Sequence, residues 1–360
     1  MKVIPISKDG QKIYDIYLDD SFDGLLTFLK GSPYSGRRVC VVTDSQVAPL
    51  YLDAVEAICA QAAGKVVHFV FEAGEASKHL DTIQDLYTLL INEHFDRNDL
   101  LIALGGGVTG DMTGYAAATY LRGIAFIQIP TTLLAQCDSS IGGKTGVDFR
   151  QYKNIVGAFW QPKLVYMNLN TLRTLDERQF SSGMAEVIKH GLIRDKAYYE
   201  WLGANAKAIM AGEYEALETM IERSCQIKRA VVENDPLEKG ERALLNFGHT
   251  VGHSIEKLKD FSMLHGECVA AGMIAAAAIS VSRGFISPED FADMKKTLLS
   301  FGLPCQVKEL SPEAILRATK LDKKMDGGKI RFILLKKIGE AVMDRTVTDE
   351  ELMKGIGACL

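Results

Sequence analysis

Seven histidines stand in this 360-residue chain, and three of them fall between positions 249 and 265. The stretch Arg242-Ala-Leu-Leu-Asn246-Phe-Gly-His249-Thr-Val-Gly-His253 spaces Arg242, Asn246, His249 and His253 by four, three and four. On a helix such positions share one face, leaving Leu244, Leu245, Phe247, Val251 and Ile255 for the others. Solvated helix faces carry Lys and Glu; an Arg-Asn-His-His face is of another kind. His265-Gly-Glu267 follows a loop later, and upstream Gly183-Met-Ala-Glu186-Val-Ile-Lys189-His190 puts Glu186 and Lys189 one turn apart. Two neutral imidazoles and a carboxylate from this pool make an open zinc-type site, whose free position receives substrate oxygens. A lone histidine is as readily a satisfied core or surface group, so the weight lies on several segments supplying matching chemistry. The spacing is not H-E-x-x-H, which argues against a metalloprotease.

A second set of residues suits phosphate. Leu100–Leu104 runs into Gly105-Gly-Gly107-Val-Thr-Gly110-Asp111, an apolar run, a glycine turn and a helical pattern in succession. Bare backbone N–H groups at a helix N-terminus attract anions. The match to G-x-G-x-x-G is weak, because it falls on a later strand and has no acidic partner at the usual distance. A glycine turn packing helix on strand explains it equally well. Further apolar runs, however, also end in polar groups: Thr131-Thr132, then Asp138, Ser139, Ser140, Gly142, Gly143 and Lys144, then Lys153-Asn154. In open parallel sheets ligands collect beyond the carboxyl ends of strands. Lys144 and Lys153 are thus candidates for phosphate or nicotinamide-ribose contacts, against the solvated fate usual for lysine.

These groups need positioning elements. Up to about residue 175, short Val- and Ile-rich runs (Val39–Thr43, Val66–Phe71, Leu100–Leu104, Ile124–Ile129, Leu164–Met167) alternate with helical patterns. Continuous apolar runs read as strands buried on both faces, so residues 1–175 are expected to form an α/β, Rossmann-like domain. From Glu177 to about Lys320 helical periodicity dominates, and 176–360 reads as a mainly α-helical domain with a small hairpin at Arg331–Leu335 and Ala341–Asp344. No Pro/Gly-rich linker separates the halves, which are expected to share a ligand-binding cleft. The apolar stretch Cys268–Val281 reads as too short for a bilayer and as a buried helix. Net charge is −5, with 24% charged residues, which gives no support to nucleic-acid or anionic-membrane partners. The seven cysteines are scattered and never form C-x-x-C, arguing against a disulfide framework or zinc ribbon. With no apolar signal core in MKVIPISKDGQ, a soluble cytoplasmic protein is expected.

With these motifs assembled, the sequence resembles the 3-dehydroquinate synthase family of sugar-phosphate cyclases over almost its whole length. The most specific parts are GGGVTGD (Gly105–Asp111), PTTLLAQCDSSIGGK (Pro130–Lys144), Lys153-Asn154, GMAEVIK (Gly183–Lys189), Arg242–His253 and His265-Gly-Glu267. The resemblance implies an NAD-binding N-terminal domain and a helical C-terminal domain holding one divalent metal, zinc or cobalt, on Glu186, His249 and His265. It implies NAD contacts at Asp44, Glu75, Lys78, Gly107, Val108, Asp111, Thr131, Thr132, Lys144, Lys153, Thr171 and Thr174. It implies catalytic roles for Lys144, Lys153, Asn154, Lys189, Arg242, Asn246 and His253, and substrate contacts at Arg122, Asp138, Lys228 and Lys324 of the Lys323-Lys324 pair. The implied reaction converts 3-deoxy-D-arabino-heptulosonate 7-phosphate to 3-dehydroquinate and phosphate, in the shikimate pathway. It proceeds by transient oxidation by NAD, phosphate elimination, re-reduction and aldol closure, in a homodimer. Two departures stand out: Val165–Asn170 lacks an aspartate often present there, and Cys137 replaces a valine. The rivals are another sugar-phosphate cyclase, a metal-dependent polyol or glycerol dehydrogenase, and a catalytically dead NAD-binding scaffold. The many cations favour a substrate carrying both phosphate and carboxylate over a simple polyol.

Overall fold

The structure is a computed structural model that describes residues 1–150, 152–238, 240–260, 262–322 and 331–360. The chain divides into two compact units, Met1–Leu175 and Asp176–Leu360.

Unit 1 is built on a seven-stranded sheet. Its elements are β1 (Lys2–Lys8), β2 (Gln11–Asp19), α1 (Asp23–Gly31), β3 (Arg38–Asp44), α2 (Ala48–Cys59), β4 (Lys65–Phe71), α3 (Leu80–Asn92), β5 (Leu100–Gly105), α4 (Gly107–Thr119), β6 (Ala125–Pro130), β7 (Lys144–Phe149), β8 (Tyr152–Phe159) and β9 (Leu164–Asn168). The sheet order is β1-β2-β9-β6-β5-β3-β4, with β1 antiparallel to β2 and the other pairs parallel. Strand side chains alternate between faces, and both faces are covered. Val39, Val41, Leu100, Ile102, Leu104, Ile127 and Ile129 pack with Leu25 and Leu29 of α1 and Leu52 and Val55 of α2. Cys40, Val42, Leu101 and Phe126 pack with Ile83, Leu86 and Leu90 of α3 and Met112 and Ala116 of α4. The five expected strands therefore form as read. The β1–β2 hairpin and the β7–β8 hairpin were not expected; β1 and β2 alternate in burial, β8 is largely exposed, and none of the four strands has the continuous apolar signature. From β3 the chain passes first to β4 on one side, then to β5 on the other. The carboxyl ends of β3 and β5 thus flank a switch point, where open α/β sheets bind ligands.

Unit 2 comprises α5 (Glu177–Arg194), α6 (Lys196–Ala204), α7 (Ala206–Met210), α8 (Tyr214–Asn234), a 3-10 turn at Glu241–Asn246, α9 (His249–Leu258), α10 (His265–Ser282), α11 (Pro288–Ser300), α12 (Pro312–Asp322), the hairpin β10 (Phe332–Lys337) with β11 (Glu340–Asp344), and α13 (Asp349–Gly357). The expected hairpin is present. The apolar stretch after His265 is longer than read: α10 has 18 residues, enough by length and composition to cross a bilayer, but 72% of it is buried inside the protein. It is the central strut of the unit, packed by α5, α9, α11, α13 and β10.

Candidate active site

The ligand cluster of unit 2 is assembled by α5 and the first turns of α9 and α10. Asp176 caps α5, accepting from the backbone N–H of Arg178 at 2.9 Å and of Gln179 at 3.3 Å. Arg178, Ser182 and Glu186 then recur every four residues, on one stripe. The Arg178 guanidinium donates to both oxygens of Glu267 at 2.6 and 2.8 Å. The Ser182 hydroxyl accepts from Gly266 N–H at 3.0 Å, and a Cβ on Gly266 would lie 1.9 Å from the Ser182 carbonyl oxygen. Glu186 faces His265 itself, its Oε1 3.7 Å from Nε2. Three successive contacts from one helix thus dock the start of α10.

His249 opens α9, and the chain reaches it through Gly248 at φ +82°. A Cβ there would stand 2.7 Å from the Val269 carbonyl and 2.6 Å from the Met273 side chain, so only glycine fits a left-handed residue pressed on α10. The expected continuous helix over Arg242–His253 is therefore broken at Phe247–Gly248. His249 and His253 still share a face, with ring centroids 5.2 Å apart. Asn246 instead donates to Glu238 Oε1 at 3.0 Å, and Arg242 to the Pro236 carbonyl at 2.8 Å. Their turn packs against α5, which carries Lys189, and α8, which carries Lys228.

Glu186, His249 and His265 present ligand atoms within 4.8 Å of one another. Glu186 Oε1 is buried with no hydrogen-bond partner, yet two imidazole Nε2 atoms stand 3.5 and 3.7 Å away. Ligand bonds of about 2.0–2.1 Å at a tetrahedral angle set donors about 3.4 Å apart, so these atoms fit a shared cation better than each other. The other carboxylate oxygen accepts from Lys189. His249 Nδ1 donates to the Phe247 carbonyl at 3.2 Å, which leaves the Nε2 lone pair facing Glu186. Burial, reinforced by Lys189 and the two neighbouring imidazoles, pushes His249 down to about 3, so it is neutral. Burial also opposes the charge on Glu186, but Lys189, His249 and His265 outweigh it and hold the carboxyl well below its usual range. For His265 burial is likewise outweighed, by Glu186 and Glu256, which push it up to about 9. A metal held there would take the place of that proton.

In unit 1 the expected cofactor residues gather at the carboxyl edge of the sheet. Asp44 ends β3 and accepts from Gln46 and Val47 N–H at 2.9 and 3.0 Å. Thr131 and Thr132 follow β6, and Gly107, Val108 and Asp111 lie in the first turns of α4. No side chain caps that helix. A Cβ on Gly106 would come within 3.1 Å of Thr132, and one on Gly107 within 3.1 Å of Ser139, so the turn stays a bare backbone cradle. Lys78 pairs with Asp111 at 2.7 Å, and Lys153 with Glu75 at 3.3 Å. Burial disfavours the Lys78 charge, but Asp111, Glu75 and Asp148 outweigh it and raise its pKa. Asn154 N–H donates to Asp148 at 2.7 Å, and Asp148 N–H to the Lys78 carbonyl at 2.8 Å, tying the β7–β8 hairpin to the same edge. Lys144 is exposed at the start of β7, and Asp138 lies in the segment after β6.

Two of the expected contact residues lie in surroundings that the sequence did not indicate. Thr171 is 1% exposed, its hydroxyl donating to the Asn168 carbonyl and accepting from Gln136, while Thr174 bonds Tyr51. Thr171 therefore has backbone, not side chain, to offer a ligand. Arg122 precedes β6, whereas Asp44, Glu75, Lys78, Gly107, Thr131 and Thr132 lie at or just beyond the carboxyl ends of their strands. It sits at the opposite edge of the sheet, about 20 Å away for a six-residue strand. Lys324 lies outside the described residues.

Models of the 3-dehydroquinate synthase N-terminal and C-terminal regions match residues 68–182 and 183–325. A 3-dehydroquinate synthase from Acetivibrio thermocellus is 44% identical over 348 residues, covering 96% of each chain. The chain belongs to the 3-dehydroquinate synthase family. The fold is that of solved sugar-phosphate cyclases. A 2-deoxy-scyllo-inosose synthase complexed with carbaglucose-6-phosphate, NAD+ and Co2+ superposes with a TM-score of 0.89 at 26% identity, over 100% of both chains. A 2-epi-5-epi-valiolone synthase from Streptomyces hygroscopicus subsp. jinggangensis, with NAD+ and Zn2+ bound, gives 0.88 at 26% identity, over 99% and 98%.

Within this member of the 3-dehydroquinate synthase family, Arg178, Ser182, Glu238 and Glu256 shape the site without having been singled out in the sequence. The first two carry a usable signal, since they precede Glu186 by eight and four residues on its stripe. Glu238 carries none, because its contact with Asn246 depends on the break before α9.

Proposed function

We propose that the protein is a 3-dehydroquinate synthase, a carbon–oxygen lyase that converts 3-deoxy-D-arabino-heptulosonate 7-phosphate to 3-dehydroquinate and phosphate. The observation that carries the reading is Glu186 Oε1, buried without a hydrogen-bond partner before two imidazole nitrogens, in a chain matched by both halves of the family. Glu186, His249 and His265 would hold a zinc or cobalt ion, and the α4 cradle with Asp44, Glu75, Lys78, Asp111, Thr131 and Thr132 would hold NAD. Bound there, the two supply a hydride acceptor and a Lewis acid that acidifies a substrate hydroxyl.

The chain's own groups would do the rest. Lys189 holds Glu186 ionised and keeps it aimed. Arg242 and Lys228 offer charge-assisted donors to carboxylate or phosphate oxygens, and Asn246 a neutral one. His253, exposed beside the His249 ring, is placed to carry a proton to or from the leaving phosphate. Lys144, Lys153, Asn154 and Asp138 are substrate contacts that the family resemblance suggests, and so is Lys324.

A cytoplasmic homodimer fits best. The hairpin exposes Phe149, Tyr152, Ile155 and Phe159 at 43–51%, and Trp160 at its end packs over Gly123, next to exposed Leu121 and Arg122. Such an apolar strip suits a second copy. Leu121 and Arg122 hold φ +50° and +64°, a backbone strain that favours a function at this corner. Arg122 would then serve the substrate of the other copy.

The test is incubation with the heptulosonate phosphate, NAD and zinc. Phosphate and dehydroquinate should appear in equal amounts without net NADH, and a chelator should stop both. Steady NADH formation from a simple polyol would instead make the protein a dehydrogenase, and a different carbocycle would make it a sister cyclase.

A further inference from the structure

The His265 ring lies between two carboxylates, one facing each nitrogen. Nε2 is 3.7 Å from Glu186 Oε1 on α5, and Nδ1 is 3.8 Å from Glu256 Oε2 on α9. Glu256 is 4% exposed, a depth at which a carboxylate is costly to keep. His253, Glu256 and His265 also present ligand atoms within 4.8 Å of one another, a second cluster sharing His265 with the first. Two explanations compete. A second ion would have to use the other nitrogen of a ring already committed through Nε2, which demands a doubly deprotonated imidazole. A support for the first ion needs only the ordinary neutral ring, donating Nδ1–H to a carboxylate. His249 already has such a support, since its Nδ1 donates to the Phe247 carbonyl. For His265, the carboxylate that faces Nδ1 among the described residues is Glu256.

We propose that Glu256 is a positioning residue for the metal centre: its carboxylate takes the Nδ1 proton of His265 in a hydrogen bond and so fixes the tautomer and ring angle that aim Nε2 at the ion. The inference rests on the metal reading above and extends it to a residue that touches neither ion nor substrate. Outer carboxylates of this kind orient a ligand histidine and raise its basicity, and their loss weakens metal binding roughly 10- to 100-fold.

The experiment compares full-length wild type, Glu256→Gln, Glu256→Asp, His249→Ala and Ser254→Ala. Ser254 is the control for the helix, because it is buried on α9 and bonds Thr319 at 2.9 Å without touching His265. Zinc affinity is read by competition with a chromogenic chelator, the ligand field by the visible absorption of the cobalt-loaded protein, and folding by melting of the metal-free protein. Glu256→Gln should melt like wild type, bind zinc roughly 10- to 100-fold more weakly and alter the cobalt bands. Glu256→Asp should recover part of both. Unchanged zinc affinity and cobalt bands in Glu256→Gln would overturn the proposal, as would an equal loss in Ser254→Ala or two zinc ions per wild-type chain. If Glu256→Gln does not fold, Glu256→Asp decides: weaker zinc binding with a native melt supports the role, and wild-type affinity overturns it. Wild type that takes no zinc, or His249→Ala that takes it normally, would remove the metal reading itself; normal zinc binding by Glu256→Gln beside a defective His249→Ala would remove this inference alone.

Discussion

Lys189, Lys228 and Arg242 are each at most 4% exposed, and cations at that depth cost several kcal/mol each unless well paired. Replacing such groups by apolar ones is often neutral for stability, so their presence calls for a use beyond folding, and an anionic substrate provides it. On the proposed reading the two adjacent histidines have different roles. His249→Ala removes a neutral Nε2 from the proposed ligand set and should abolish stoichiometric zinc. His253→Ala should keep its zinc while turnover falls by roughly 10²- to 10⁴-fold, the usual size of a lost proton-transfer group. Metal analysis beside steady-state kinetics checks the pair, and normal zinc in His249→Ala would contradict the assignment. The histidines stood out in the sequence because there are seven in the chain and three lie between 249 and 265, while the choice of Glu186, His249 and His265 as one set came with the family resemblance; the fold brings the three together. The fate of Arg122 was not legible there, because residue type is silent about which edge of a sheet a loop occupies.

At the scale of elements, the parallel strands were readable because burial on both faces imposes unbroken Val/Ile runs. The hairpins β1–β2 and β7–β8 escaped notice because half-exposed strands mix polar and apolar residues. The break before α9 is a subtler case: spacings of four, three and four satisfy a helix, and only the packing of Gly248 on α10 excludes one. The last helix shows how firmly an end is tied. Glu351 closes a capping box with Thr348 and accepts two bonds from Arg283 at 2.6 and 2.8 Å, while Arg283 also reaches Asp344 at 2.8 Å. Arg283 foremost, then the Thr348 N–H, lowers the Glu351 pKa to about 2 from 4.5. A depressed carboxyl contributes stability that is complete above its unfolded pKa and disappears as pH falls through the folded one. The urea-midpoint gap between wild type and Glu351→Gln should therefore hold steady above pH 4.5 and close towards pH 2. A gap independent of pH over that window would show that the charge is not what ties α13 down.

For the molecule as a whole, alternation of strand and helix followed by helix alone was enough to read an α/β unit and a helical unit. Assembly is where the sequence was least informative, since an exposed strip such as Phe149, Tyr152, Ile155 and Phe159 declares itself only once the hairpin is folded. If Arg122 serves a second copy, Arg122→Ala and His249→Ala chains are each inactive alone but complementary. Mixed and refolded together at equal amounts, half of the dimers are hybrids with one intact site of two, so activity should return to about a quarter of wild type by random pairing of a symmetric dimer. No recovery, with hybrids demonstrated, would return Arg122 to its own chain. The stripe Arg178, Ser182 and Glu186 has a consequence for how this gene can change length. A residue inserted between positions 182 and 186 turns everything beyond it by about 100° and advances it about 1.5 Å, so the carboxylate would swing away from the two imidazoles while Arg178 and Ser182 stayed engaged. Natural variation in length should therefore be borne by the loops, and the first half of α5 should behave as a fixed gauge.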